Sequence, residues 1–279
     1  MKRIAWIVSL AVAATLMIAE PAGAAVPGLG YFLTPSETNS AVYKSVTFTC
    51  PPGQVVVGTG YQLAGAEGSV VLDDLIPTET GVTVGAGEVV GPGEPADGTT
   101  LNWSVTAFTS CADRPAGYQI VPETSFFGPA TERHVAALCP GGKRLIGGGT
   151  SLSNGFGQIS VREMDLGFGG VNAYAVDDED GYTGSWSVSA YAICADLLPG
   201  LRSLGGNTVN NSQSPKGVTS SCPFGDRPLS AGWATLSREQ IVVTGAYLTG
   251  NGVRVTAAED DTGYSGNWTI SSGYTCATP

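Results

Sequence analysis

The chain holds one histidine, His134, and six cysteines among its 279 residues. A serine hydrolase needs a histidine base, held by a carboxylate, beside a nucleophile. His134 stands between Arg133 and Val135, and no G-x-S-x-G elbow accompanies it. One histidine cannot make a His-rich zinc site, and cysteines committed to disulfides leave none for thiol catalysis or Cys-ligated zinc. The sequence therefore assigns no catalytic residue and no zinc site. Carboxylates are the remaining reactive groups. A glycosidase needs only two, about 5 Å or about 6.5–9.5 Å apart. Asp73, Asp74, Glu163, Asp165, Asp177 and Glu179 are candidates, and their order in the chain says nothing about those distances.

Acids recur at matched positions in one place, the turn before a Trp-bearing strand. It reads Asp177-Asp178-Glu179-Asp180 in one copy and Glu259-Asp260-Asp261 in another, while a third keeps only Asp97 within the insertion Gly91 to Gly98. Calcium takes several carboxylate and carbonyl oxygens, and such a turn offers them. The spaced D-x-D-x-D-G loop and distal Glu of an EF-hand are missing, so a solvated hairpin turn is the favoured reading and calcium the alternative. No other cofactor is suggested. Tyr182 and Tyr264 occupy matched places just after the acids. A tyrosine beside acids and glycine can stack on a sugar face while the acids accept its hydroxyls. Tyr182, Tyr264, Asp178, Asp180, Asp260 and Asp261 are thus the candidate ligand-binding residues, with turn-capping tyrosines as the plainer alternative.

The elements that must carry these groups repeat with a period of about 80 residues, which marks tandem modules or a pseudo-threefold assembly. Cys50, Cys139 and Cys222 each precede Pro, and Cys111, Cys194 and Cys276 each precede Ala. Two classes alternating three times argue for the pairs Cys50–Cys111, Cys139–Cys194 and Cys222–Cys276. A basic residue precedes the first cysteine of each copy (Lys44, Arg133, Lys216), and an apolar strand ending in small residues follows it. In Trp186 to Cys194, Trp, Val, Ala, Ala and Cys fall on alternate positions, the period of a strand. The same alternation places Trp103 and Trp268 on the cystine side, facing a core. With 40 glycines and only 13% charged residues, the composition suits short strands and tight turns. The fold class is all-β: three tandem disulfide-closed modules at 25–115, 116–198 and 199–279, either sandwich-like or joined as a pseudo-threefold β-prism. Loss of one disulfide should unfold its module.

Residues 1–24 read as a signal peptide. Lys2 and Arg3 precede an apolar run to Ile18, and Ala22-Gly23-Ala24 gives the cleavage pattern. The run is shorter than the roughly 20 residues that span a bilayer. The expected location is extracellular, which agrees with disulfide use. A formal net charge of −11 disfavours nucleic acid and anionic membranes as partners and is compatible with neutral glycans, cationic partners or calcium.

The stretch Cys139-Pro140-Gly141-Gly142-Lys143-Arg144-Leu145-Ile146-Gly147-Gly148-Gly149, with Trp186 to Ala195, resembles secreted repeat proteins of high-GC Gram-positive bacteria, a group mostly without assigned activity. The Cys-Pro-x-Gly turn and the triplication are also similar to the vitelline membrane outer layer protein family, which implies a threefold β-prism and a link to carbohydrate; that family's repeats are shorter. The expected function is a secreted, non-enzymatic binding or surface protein, with glycan or cell-envelope material as ligand. A structural or protein-interaction role, as a coat component or inhibitor, is the first alternative and a glycosidase-like enzyme the second.

Overall fold

A computed structural model describes residues 26–89, 99–155, 157–167, 169–235 and 240–279. The signal-peptide reading at 1–24 and Asp97 with its insertion lie outside the described residues. Each module contributes six strands. The first carries β1 (Gly30–Pro35), β2 (Tyr43–Thr49), β3 (Gln54–Ala64), β4 (Val70–Pro77), β5 (Gly81–Glu88) and β6 (Ser104–Asp113). The second carries β7 (Gln119–Thr124), β8 (Glu132–Leu138), β9 (Arg144–Ser153), β10 (Ile159–Gly167), β11 (Gly170–Asp177) and β12 (Ser187–Ala195). The third carries β13 (Arg202–Asn211), β14 (Lys216–Ser221), β15 (Arg227–Ala234), β16 (Ile241–Thr249), β17 (Gly252–Glu259) and β18 (Trp268–Ala277). None of the described residues is helical, and none forms a helix long and apolar enough to cross a membrane.

The strands form three six-stranded sheets: β2-β5-β4-β9-β12-β7, β13-β18-β15-β10-β11-β8 and β1-β6-β3-β16-β17-β14. Each sheet takes three strands from one module and three from another, so the modules interlock in a ring and the prism alternative holds. We call the outer surfaces the one–two, two–three and three–one faces. The three seams are short and equivalent. β4 meets β9 through Asp74–Ser151 and Leu75–Thr150, β10 meets β15 through Glu163–Ala234 and Met164–Trp233, and β16 meets β3 through Gly245–Gln62 and Ala246–Tyr61. At each seam a carbonyl of one module crowds a glycine of the next. A Cβ on Gly149 would lie 2.1 Å from the Leu75 oxygen, one on Gly232 2.4 Å from that of Met164, and one on Gly60 2.7 Å from that of Ala246.

The core follows from period-two patterning. Trp186, Val188, Ala190, Ala192 and Cys194 are all fully buried, and Trp103 and Trp268 are as deeply enclosed, as the alternation requires. One hydrophobic cluster draws residues from all three modules. A second gathers Val57, Ile146 and Leu229, each skipped by the strand register at a matched β-bulge, so their side chains meet one another across the modules. The three disulfides are those the alternation of cysteine classes gives, at separations of 61, 55 and 54 residues. The glycine after each Cys-Pro turn (Gly53, Gly142, Gly225) has φ near +90°, which only glycine adopts without strain.

The recurring basic residue braces the tryptophan. Lys216 Nζ donates to the Asn211 carbonyl (2.5 Å), Asn211 Oδ1 (3.0 Å) and the Trp268 carbonyl (2.7 Å), which uses its three protons, and it sits 3.4 Å from the Trp268 ring centre. Trp268 Nε1 in turn donates to Glu259 Oε1 at 3.0 Å. Lys44, Asn39, Trp103 and Glu88 repeat this arrangement in the first module. The middle module varies it: Arg133 lies over Trp186, but the indole donates to the Ala130 carbonyl.

Candidate functional site

The acidic turns converge. Asp178 N donates to the Gln158 carbonyl, Asp260 N to that of Gln240 and Val89 N to that of Ser69, each at 2.9 Å. These matched bonds place Val89, Asp178 and Asp260 around one end of the prism, above Val71 and Val242. Carboxylate oxygens of Asp178, Glu179 and Asp260 lie within 4.8 Å of one another, over a pit of about 10 Å³. The Thr262 hydroxyl lies 2.7 Å from Asp260 Oδ1 and also bonds Glu179 Oε1. Burial pushes Asp178 up to about 8, reinforced by neighbouring Glu179 and Asp260, while a hydrogen bond from Asp178 holds Glu179 below the usual glutamate range. Burial also raises Asp260. Three such carboxylates can share a proton or ligate one cation.

The other predicted residues are placed differently. Asp261 is outside the cluster and accepts the Ser69 hydroxyl at 3.0 and 3.1 Å, tying module three to module one. Asp180 stands exposed and is also outside it. Tyr182 and Tyr264 are half-buried against the core. Their rings close over the glycines two residues on: a Cβ at Gly184 would lie 2.4 Å from Tyr182, and one at Gly266 2.7 Å from Tyr264. Their backbone amides donate to Asp177 Oδ2 (3.2 Å) and Glu259 Oε2 (3.4 Å), so both tyrosines cap their turns.

The outer faces carry groups that the sequence reading left unconnected. One row of paired residues crosses each sheet. On the one–two face it runs Ser45, Gly85, Asp74, Ser151, Ser189, Thr124. On the two–three face it runs His134, Tyr174, Glu163, Ala234, Ser271, Thr208. On the three–one face it runs Gly217, Thr256, Gly245, Gln62, Thr106, Pro35. His134 and Ser271 are four strands apart, about 19 Å at the usual strand spacing, so they do not form a nucleophile–base pair. Glu163 and Asp165 lie two residues apart on one strand and are not opposed across a cleft. Burial raises both, Asp165 adds to the rise of Glu163, and His134 works against it.

On the one–two face the β4 bulge turns Asp73 and Asp74 toward the same tyrosine, Tyr43, whose hydroxyl donates to Asp74 Oδ2 at 3.2 Å. Burial pushes Asp73 up to about 7, and Asp74 adds to it. Folding therefore favours the protonated acid. The stability it contributes is present below the ordinary value of 3.8 and is lost as pH rises through about 7. Asp73→Asn keeps the shape without the charge. It should raise the thermal midpoint at pH 8 by on the order of 3 °C and change it little at about pH 4. Melts at the two pH values check this, and an equal shift at both would count against it.

The three–one face holds a groove of about 520 Å³. Gln62, Gln213, Thr244, Tyr247, Arg254 and Thr256 line it, and Tyr247 stacks on Phe108 with ring centres 5.0 Å apart. The space lies in the range of small-molecule sites, and its mixture of one aromatic with amides, hydroxyls and a guanidinium suits a polar ligand with an apolar side.

No protein-family profile matches the sequence, and no curated protein matches it.

The groove was hidden in the sequence because no motif encodes it. Gln62 and Arg254 lie on strands of different modules, more than half the chain apart. The one usable signal was the gap-free alignment of β5, β11 and β17, in which Thr83, Asn172 and Arg254 fall at one position and Gly85, Tyr174 and Thr256 at another. Those outward positions vary while the valine before them (Val82, Val171, Val253) and the alanine after them (Ala86, Ala175, Ala257) hold.

Proposed function

We propose that this is an exported, non-catalytic binding protein whose ligand is glycan or cell-envelope material. The groove on the three–one face carries the proposal: it offers the Tyr247 ring, backed by Phe108, beside amide, hydroxyl and guanidinium groups on a sheet. Three disulfides agree with an oxidising compartment, and export fits that chemistry. Purified protein should sediment with insoluble cell-wall material and be released by soluble oligosaccharide. No retention on cell-wall material or on a glycan array would sink the proposal.

Calcium at Asp178, Glu179 and Asp260 is a supporting role for the same protein, steadying the prism end. Calcium should then raise the thermal midpoint, and Asp178→Asn should remove that rise. An unchanged midpoint with calcium would dismiss it. Adjacent Phe126 and Phe127 are 81% and 49% exposed and favour, as a second reading, a protein partner. A stoichiometric partner lost on Phe126→Ser would support it over the first.

A further inference from the structure

The groove exists because two matched positions lack the ring that fills them elsewhere. On the one–two face Tyr43 lies across Gly85, where a Cβ would come within 2.2 Å of its hydroxyl. On the two–three face the roles are reversed. Tyr174 occupies the position of Gly85, and its hydroxyl donates at 2.6 Å to Glu132, which stands where Tyr43 would be. One ring thus fills the same space from opposite strands. On the three–one face these positions are Pro215 and Thr256, neither brings a ring, and the space stays open.

Arg254 lines that opening, where the other faces carry Thr83 and Asn172. Among the described residues it forms no ion pair, and its guanidinium meets the Thr219 hydroxyl at 3.5 Å. On a chain of net charge −11, a guanidinium without an ion pair, paired across the strands with Tyr247, gives this groove a local positive group. A guanidinium matches a carboxylate in a two-pronged geometry, an aromatic ring matches the C–H side of a pyranose, and amides match its hydroxyls. Glu67 also lines the groove, which disfavours densely charged polyanions and suits a ligand with isolated carboxylates.

We infer that this groove binds a saccharide bearing a carboxylate, of the uronic-acid type, with Arg254 taking the carboxylate, Tyr247 the ring and Gln62 and Gln213 the hydroxyls. The inference rests on the binding function proposed above and adds the place and the ligand class. The test titrates the full chain with a disaccharide that carries a single uronate, glucuronic acid linked to a neutral sugar, and with its methyl ester, following amide NMR shifts. The acid should bind saturably, with shifts on β14, β16 and β17, and the ester about tenfold more weakly. Thr256→Tyr, which installs the ring of the two–three face, should abolish binding. Arg254→Gln should remove the preference for acid over ester, and Arg254→Lys should keep part of it. Equal binding of acid and ester, no binding of either, or full binding by Thr256→Tyr would overturn the inference. Sedimentation with cell-wall material separates the two levels. If the unaltered chain and Thr256→Tyr sediment equally, the general binding function stands and the groove is the wrong place. If the unaltered chain does not sediment, the general function falls.

Discussion

Replacing Cys139 and Cys194 together by serine should destabilise the whole prism by about 4 kcal/mol, not one module of it. The bridge closes a loop of 55 residues, and loop-closure entropy alone gives an effect of that size. Ordinary domains have only about 5–15 kcal/mol in all, so the loss is a large share. The sequence alone suggests a local consequence, with one module unfolding and the others surviving. Shared sheets change that. β9 and β12 complete the sheet begun by β4, and β10 and β11 complete the one begun by β15. With module two lost, both neighbours would expose a sheet edge and the buried side of a core cluster common to all three. Denaturant titration followed by tryptophan fluorescence should show one transition at a lower midpoint, because every module buries at least one tryptophan (Trp103, Trp186, and Trp233 with Trp268) and each contributes to the signal. A second transition remaining at the midpoint of the unaltered chain would contradict the shared-sheet account.

The second large effect is expected at a seam. Gly149→Ala adds one methyl group, but its carbon would sit 2.1 Å from the Leu75 carbonyl oxygen and 2.5 Å from the Pro77 ring. Neither neighbour is the free end of a flexible side chain. Relief requires β4 to back away from β9, and only two residue pairs hold those strands together. The cost should be on the order of 3 kcal/mol, the upper part of the range for overpacking, together with partial loss of soluble protein. Gly141→Ala is the matched control. It lies eight residues earlier, nothing stands within 4 Å of its added carbon, and its backbone is not left-handed. It should leave stability within about 0.5 kcal/mol. Equal midpoints for the two variants would mean that the seam is looser than described.

How much of this was legible depended on the range of the interaction. Trp186 to Cys194 announced a strand and its buried side, because period two is a local property of the backbone. The cysteine pairs were legible because the repeat supplied a pattern that single spacings do not. The sharing of sheets was not. Its signs are Gly60, Gly149 and Gly232, which in the sequence are only small residues at the end of an apolar strand. Their meaning lies in a carbonyl from another module. The acidic turns were found, but their meeting at one end of the prism depends on the ring closure, so Glu179 joined the cluster and Asp180 did not. Tyr182 and Tyr264 follow the acids in sequence, and each ring folds back on the glycine two residues on. The groove lay beyond reach for a further reason: it is a space left by rings that other copies possess, and a sequence records the residues present without the volume they leave.

Differential scanning calorimetry of the intact, oxidised chain tests the interlocked ring most directly. One endotherm is expected, with a calorimetric enthalpy equal to the van't Hoff enthalpy, since no module can leave without opening two sheets. Three separable endotherms, or a calorimetric enthalpy about three times the van't Hoff value, would show modules melting one by one and would contradict the account.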